Sequence, residues 1–89
     1  MILHLGSDMS IRTREVVAIF DLDVIRPSAA SREFLEIMES EGKLVRVSSE
    51  PAKSAVLTDN ALYLSPISSW TILRRAEHGH FGPEVMAWR

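Results

Sequence analysis

The sequence predicts one small domain of the α/β (α+β) class. It should hold a mostly antiparallel sheet of five to six short strands with two helices, in the order β-β-β-α-β-β-β-α. Three observations predict this. Short apolar runs rich in β-branched residues, such as Val16-Val17-Ala18-Ile19-Phe20, read as strands. Two stretches instead carry apolar residues at helical spacing, around Phe34 and around Ile72. With 89 residues, the chain is long enough for one domain and too short for two.

Taken in order, residues 2–5 form a short apolar strand that ends at the turn cluster Gly6-Ser7-Asp8. Met9, Ile11 and Thr13 then alternate with Ser10, Arg12 and Arg14, the pattern of a half-buried strand. A strand there would hold both guanidinium groups on one face, roughly 7 Å apart. Residues 16–20 are apolar on both faces and read as a central strand. Asp21 and Asp23 begin a turn out of the sheet. Ser28 or Ser31 caps the first helix, where Ala30, Phe34, Leu35, Ile37 and Met38 make the apolar stripe. Gly42 ends it. Residues 44–47 form the next strand. Residues 54–58 and 61–64 follow as a hairpin around Asp59-Asn60, which lacks the favoured glycine. Pro66 closes that strand, and Ser68 or Ser69 caps a second helix with Ile72, Leu73 and Ala76 inward. The domain is expected over residues 1–76, with 77–89 a flexible tail of no clear period.

Composition narrows the function. The net charge is −2, so any anion site must be a local patch. Residues 1–45 hold five Lys/Arg against eight Asp/Glu, and residues 46–89 hold five against four. With no cysteine there are no disulfides, thiolate ligands or thiol nucleophiles, which suits the cytoplasm. Neither a signal-peptide layout nor a run near the ~20 apolar residues of a membrane span is present, so no membrane partner is expected. A chain this short buries only about 60–65% of its unfolded surface. Two short helices cannot cover a sheet that is apolar on both faces, so a homo-oligomer is expected.

Catalytic chemistry is thinly represented. His78 and His80 form an H-x-H pair beside Glu77, a metal pair only if the segment is a strand, and no metal is expected. His4, between leucines, reads as a satisfied strand histidine. Ser65, Ser68 and Ser69 lack the G-x-S-x-G elbow and read as turn and cap. Walker and dinucleotide-binding glycine patterns are absent, so no cofactor, small-molecule substrate or enzymatic activity is expected.

The cations are the better lead: Arg12, Arg14, Arg46, Lys53, Arg74 and Arg75. Six scattered charges make a weak polyanion site, because affinity for DNA grows with the number of phosphates neutralised. Repeated around an oligomer they would make a continuous track. For Arg74 and Arg75 a solvated helix end, favoured by the macrodipole, is a better explanation than DNA contact.

Four segments occur in a telling order: His4-Leu5-Gly6; Ile11-Arg12-Thr13-Arg14-Glu15-Val16-Val17-Ala18-Ile19-Phe20-Asp21; Ala55-Val56-Leu57-Thr58-Asp59; and Tyr63-Leu64-Ser65-Pro66-Ile67-Ser68-Ser69. Together, over residues 1–76, they resemble the small bacterial extracellular matrix regulators of the RemA/RemB type, more the B form than the A form. The resemblance implies a cytoplasmic, DNA-binding regulator of transcription in biofilm-matrix control. It also implies assembly into a homo-oligomer, a ring in the A form, that binds double-stranded DNA on a basic rim. Arg14 matches a DNA-contacting arginine of the family. The stretch from Ser48 to Ser54 matches its arginine-rich turn, but here carries only Lys53, beside Glu50.

Overall fold

A computed structural model describes residues 1–78 and the backbone of residues 86–88. The elements run β1 (Ile2–Gly6), β2 (Met9–Arg12), a 3₁₀ turn (Thr13–Glu15), β3 (Ala18–Asp21), α1 (Leu22–Ile25), α2 (Ala29–Ser40), β4 (Leu44–Arg46), β5 (Ser54–Leu57), β6 (Leu62–Ser65), α3 (Ser69–His78) and β7 (Met86–Trp88). The α+β class is borne out, and the arrangement is more divided than a single antiparallel sheet. β1 and β2 form a separate hairpin, and the remaining strands form a five-stranded sheet in the order β4-β6-β5-β3-β7. The pairs β3–β5 and β5–β6 are antiparallel, whereas β4–β6 and β3–β7 are parallel.

The sheet register explains the layers. Ile19 lies opposite Val56, Val56 opposite Tyr63, and Tyr63 opposite Val45, so these residues share one face. The hairpin and α3 cover that face, where Leu3, Leu5, Ile11, Val16, Ile72, Leu73 and Ala76 join Ile19 and Val56 in the larger core. The alternate row, Phe20–Ala55–Leu64, faces α1 and α2. There Leu22 and Met38 complete a smaller core, with Phe34, Leu35 and Leu44 half-buried against it.

Local chemistry accounts for each turn. Gly6 has φ +118°, and a Cβ there would stand 3.2 Å from the Pro66 ring, so the hairpin turn needs glycine on both counts. Asp21 begins a short helix as well as a turn: its side chain accepts from the Asp23 N–H at 2.9 Å, which caps α1. Of the two candidate caps for each longer helix, Ser28 accepts from the Ser31 N–H and Ser68 from the Thr71 N–H. Gly42, at φ +72°, ends α2 in a Schellman arrangement, with Lys43 N–H on Met38 O and Gly42 N–H on Glu39 O. The Asp59-Asn60 link holds without glycine because Thr58 braces it. The Thr58 Oγ1 accepts from the N–H groups of Asn60 and Ala61, while the Thr58 N–H donates to Ala61 O at 2.9 Å.

Three expectations are corrected. The strand carrying Arg12 stops there, because β1 offers no partner beyond Ile2; the Thr13 N–H takes the Met1 carbonyl and the chain winds into the 3₁₀ turn. Arg14 therefore stands on a turn, not in a strand row with Arg12. The burial alternation still holds, with Ile11 and Thr13 buried and Arg12 and Arg14 exposed. Within α2, Ala30 and Ile37 remain exposed; only Phe34, Leu35 and Met38 meet the sheet, whose margin is narrower than the apolar arc. Finally, the sequence pattern shows no strand in 77–89, but Met86–Trp88 run parallel to β3 as β7 and make it an interior strand. Among the described residues, no helix is long and apolar enough to cross a membrane.

Candidate nucleic-acid interface

The register places the six cations in three separate pairs. Arg12 and Arg14 stand where β2 exits towards β3, and the Val17 N–H binds Leu57 O just before the β5–β6 turn. They therefore share one end of the sheet with Asp59 and Asn60. Arg46 lies opposite Leu64, and the Lys53 N–H donates to Ser65 O, so this second pair occupies the opposite end. The strand order puts β6 between them, about 10 Å at two strand spacings. Arg14 and Lys53 are separated by the length of β5, roughly 14 Å. The third pair projects from α3. One subunit therefore does not gather the six into a patch.

Their partners differ as well. Arg46 forms an exposed ion pair with Glu39 at 3.5 Å, and Arg75 Nη1 donates to His4 O at 3.2 Å, which ties α3 to β1. Arg12, Arg14, Lys53 and Arg74 make neither an ion pair nor a side-chain hydrogen bond among the described residues, and all four are exposed. The turn at 48–54 offers little backbone to an anion: the Glu50 N–H binds Ser48 Oγ, and the Lys53 N–H is spent on β6.

Two concavities adjoin these groups, and local sequence signals identify neither. Arg14 shares a hollow of about 420 Å³ with Glu15, Thr58, Asp59, Asn60 and Tyr63. The residues come from two stretches more than forty positions apart, 14–15 and 58–63, and meet only through the β3–β5–β6 register. A smaller cleft of about 150 Å³, floored by Leu22, Leu35, Leu44 and Leu64, carries Arg26 and Arg46 with Glu36 and Glu39 at its rim.

The residues considered for other chemistry have structural roles. His4 Nε2 lies 2.9 Å from Ser7 O, and a carbonyl only accepts, so that nitrogen carries the proton. Ser65 is fully buried; its hydroxyl donates to Leu5 O and accepts from the Ile67 N–H, joining hairpin to sheet. No group of three or more His, Cys, Asp or Glu suited to a metal occurs among the described residues, and His80 with the His78 side chain lies outside them.

Fold and surface thus define a small three-layer α+β domain with unpaired cations distributed over its ends. The family described as "RemA-like: Extracellular matrix regulatory protein A-like" matches residues 2–76. The chain is also 38% identical over 77 residues to extracellular matrix regulatory protein B of Bacillus subtilis (strain 168), covering 86% of this chain and 91% of that relative. The chain belongs to this family of extracellular matrix regulatory proteins, as its ordered motifs indicate. The family match ends at Ala76, so β7 lies beyond it.

Proposed function

We propose that this protein is a non-enzymatic, cytoplasmic DNA-binding regulator of transcription, of the biofilm-matrix type. It acts as a homo-oligomer that repeats Arg12 and Arg14 around its surface. The observation that carries this reading is the state of the cations: Arg12, Arg14, Lys53 and Arg74 have no carboxylate partner among the described residues, although the chain is acidic overall. Their charge is left for an external anion, and the regulatory name of the Bacillus relative agrees with that role.

Assembly supplies the strength that one subunit lacks. The α1–α2 face keeps Val24 and Ile37 about half exposed, beside the cleft with two arginines and two glutamates at its rim. A rim carrying both signs is complementary to a copy of itself, so a second subunit is the occupant this face suits. Multiplying Arg12 and Arg14 through assembly then raises the number of phosphates met at once.

Light scattering with and without duplex DNA at low salt tests both parts. A multimer whose mass rises on adding DNA is expected, with a log–log salt slope steeper than about −2, the limit for two contacts from one subunit. A stable single subunit that ignores duplex DNA overturns the proposal. A second reading, an oligomeric module that binds a protein, draws on Trp70, 48% exposed at the start of α3; its binding would change little with salt.

A further inference from the structure

The hollow around Arg14 is unusual for a phosphate site. Its charged members are one arginine and two carboxylates, Glu15 and Asp59. A backbone phosphate entering it meets more negative than positive charge, so Arg14 alone makes a poor non-specific contact there. Yet the side chains of Arg14, Glu15, Asp59, Asn60 and Tyr63 make no hydrogen bond or ion pair among the described residues, so these polar groups do not satisfy one another. Asp59 and Asn60 are both exposed, and Thr58 holds the backbone beneath them through three hydrogen bonds. Polar groups converge on a concave surface, presented by a braced turn.

We propose that Asp59 and Asn60, at the tip of the β5–β6 turn, read base edges of the duplex that Arg12 and Arg14 hold by its phosphates. The inference rests on the DNA-binding reading above and adds the residues that set sequence preference. The chemistry is that of groove recognition. A carboxylate accepts from the exocyclic amine of cytosine and is repelled by the acceptor edges of guanine and thymine, and a carboxamide matches the donor and acceptor of adenine. Asp59 thus has two effects. It lowers affinity for DNA in general and recovers the loss only where an amino group faces it, which makes it a rejecting element as well as an attracting one. Asn60 carries no charge and adds preference without the general repulsion.

The experiment selects bound duplexes from a random pool with the full-length chain, comparing the unaltered protein with Asp59→Asn, Asn60→Ala and Arg14→Ala. All three positions are exposed, so the variants are expected to fold. The unaltered protein should enrich a defined motif. Asp59→Asn should bind random duplex about fivefold or more tightly, as removing one like charge near phosphate allows, and lose preference at one base position. Asn60→Ala should lose preference at a different position, with affinity for random duplex unchanged. Arg14→Ala should weaken binding to every duplex and keep the motif. Recovery of the same motif and affinity with Asp59→Asn and Asn60→Ala overturns the inference while the DNA-binding reading stands. Failure of the unaltered protein to retain any duplex overturns both.

Discussion

The two faces of the five-stranded sheet are built to different standards. Against the hairpin and α3, Leu3, Leu5, Ile19, Val56, Ile72 and Ala76 are all essentially fully buried. Against α1 and α2, Leu22, Ala55 and Leu62 are fully buried too, but Phe34, Leu35 and Leu44 are only half-buried and Ile37 stays 45% exposed. The difference lies in the coverings. The first combines a strand pair and a ten-residue helix: Ser65 on Leu5 O sews the strand pair to the sheet, and Arg75 on His4 O ties the helix to the strand pair. The second is one turn of helix and a peripheral α2 whose glutamates Glu33, Glu36 and Glu39 are exposed. A small domain has enough apolar material to finish one face well, and the other is left thin. The first face holds the fold together, and the second is the one the proposed association would use.

Truncation on the finished face should have the largest effect. Leu5→Ala removes a fully buried side chain and should cost about 3 kcal/mol in chemical denaturation, whereas Leu35→Ala on the thin face should cost about 1 kcal/mol. Equal costs would break the distinction between the faces. Next comes a charge on the thin face. Ile37→Asp should change subunit stability by no more than about 0.5 kcal/mol, as exposed substitutions do, yet reduce the light-scattering mass to that of a single subunit. An unchanged mass would place the contact between subunits elsewhere. The smallest effect concerns Thr13, which is buried on the finished side with no hydrogen-bond partner for its Oγ1 among the described residues. Thr13→Val removes an unsatisfied hydroxyl at nearly constant volume and should leave stability unchanged or raise it by up to about 1 kcal/mol. A clear loss in the same denaturation measurement would show that the hydroxyl has a partner in solution.

Most elements were legible from local chemistry. A short apolar run marked β1, alternation marked β2, β-branched residues marked β3, and both longer helices carry serine caps and an apolar arc. Other features depend on contacts between distant residues. Thr13-Arg14-Glu15 keeps the strand's burial pattern, but a strand needs a partner and β1 ends too soon to supply one. β7 has three residues and no local pattern to mark it; its backbone takes strand geometry by pairing with β3. Asp59-Asn60 reads locally as a turn, which it is, and nothing nearby in sequence relates it to Arg14.

By itself, the sequence determined the α+β class, the order of the principal elements, the serine pairs that could cap the helices, the six cations and the family. These follow from side-chain periodicity, capping chemistry and motif order, all properties of neighbouring residues. Only the tertiary structure decided that the strands divide into a hairpin and a five-stranded sheet, that the two faces are unequally covered, and that Arg14 stands beside Asp59 while Lys53 lies at the far end. Strand pairing joins residues far apart in the chain, so both the partition of the core and the electrostatic setting of each cation depend on a register that no local pattern encodes.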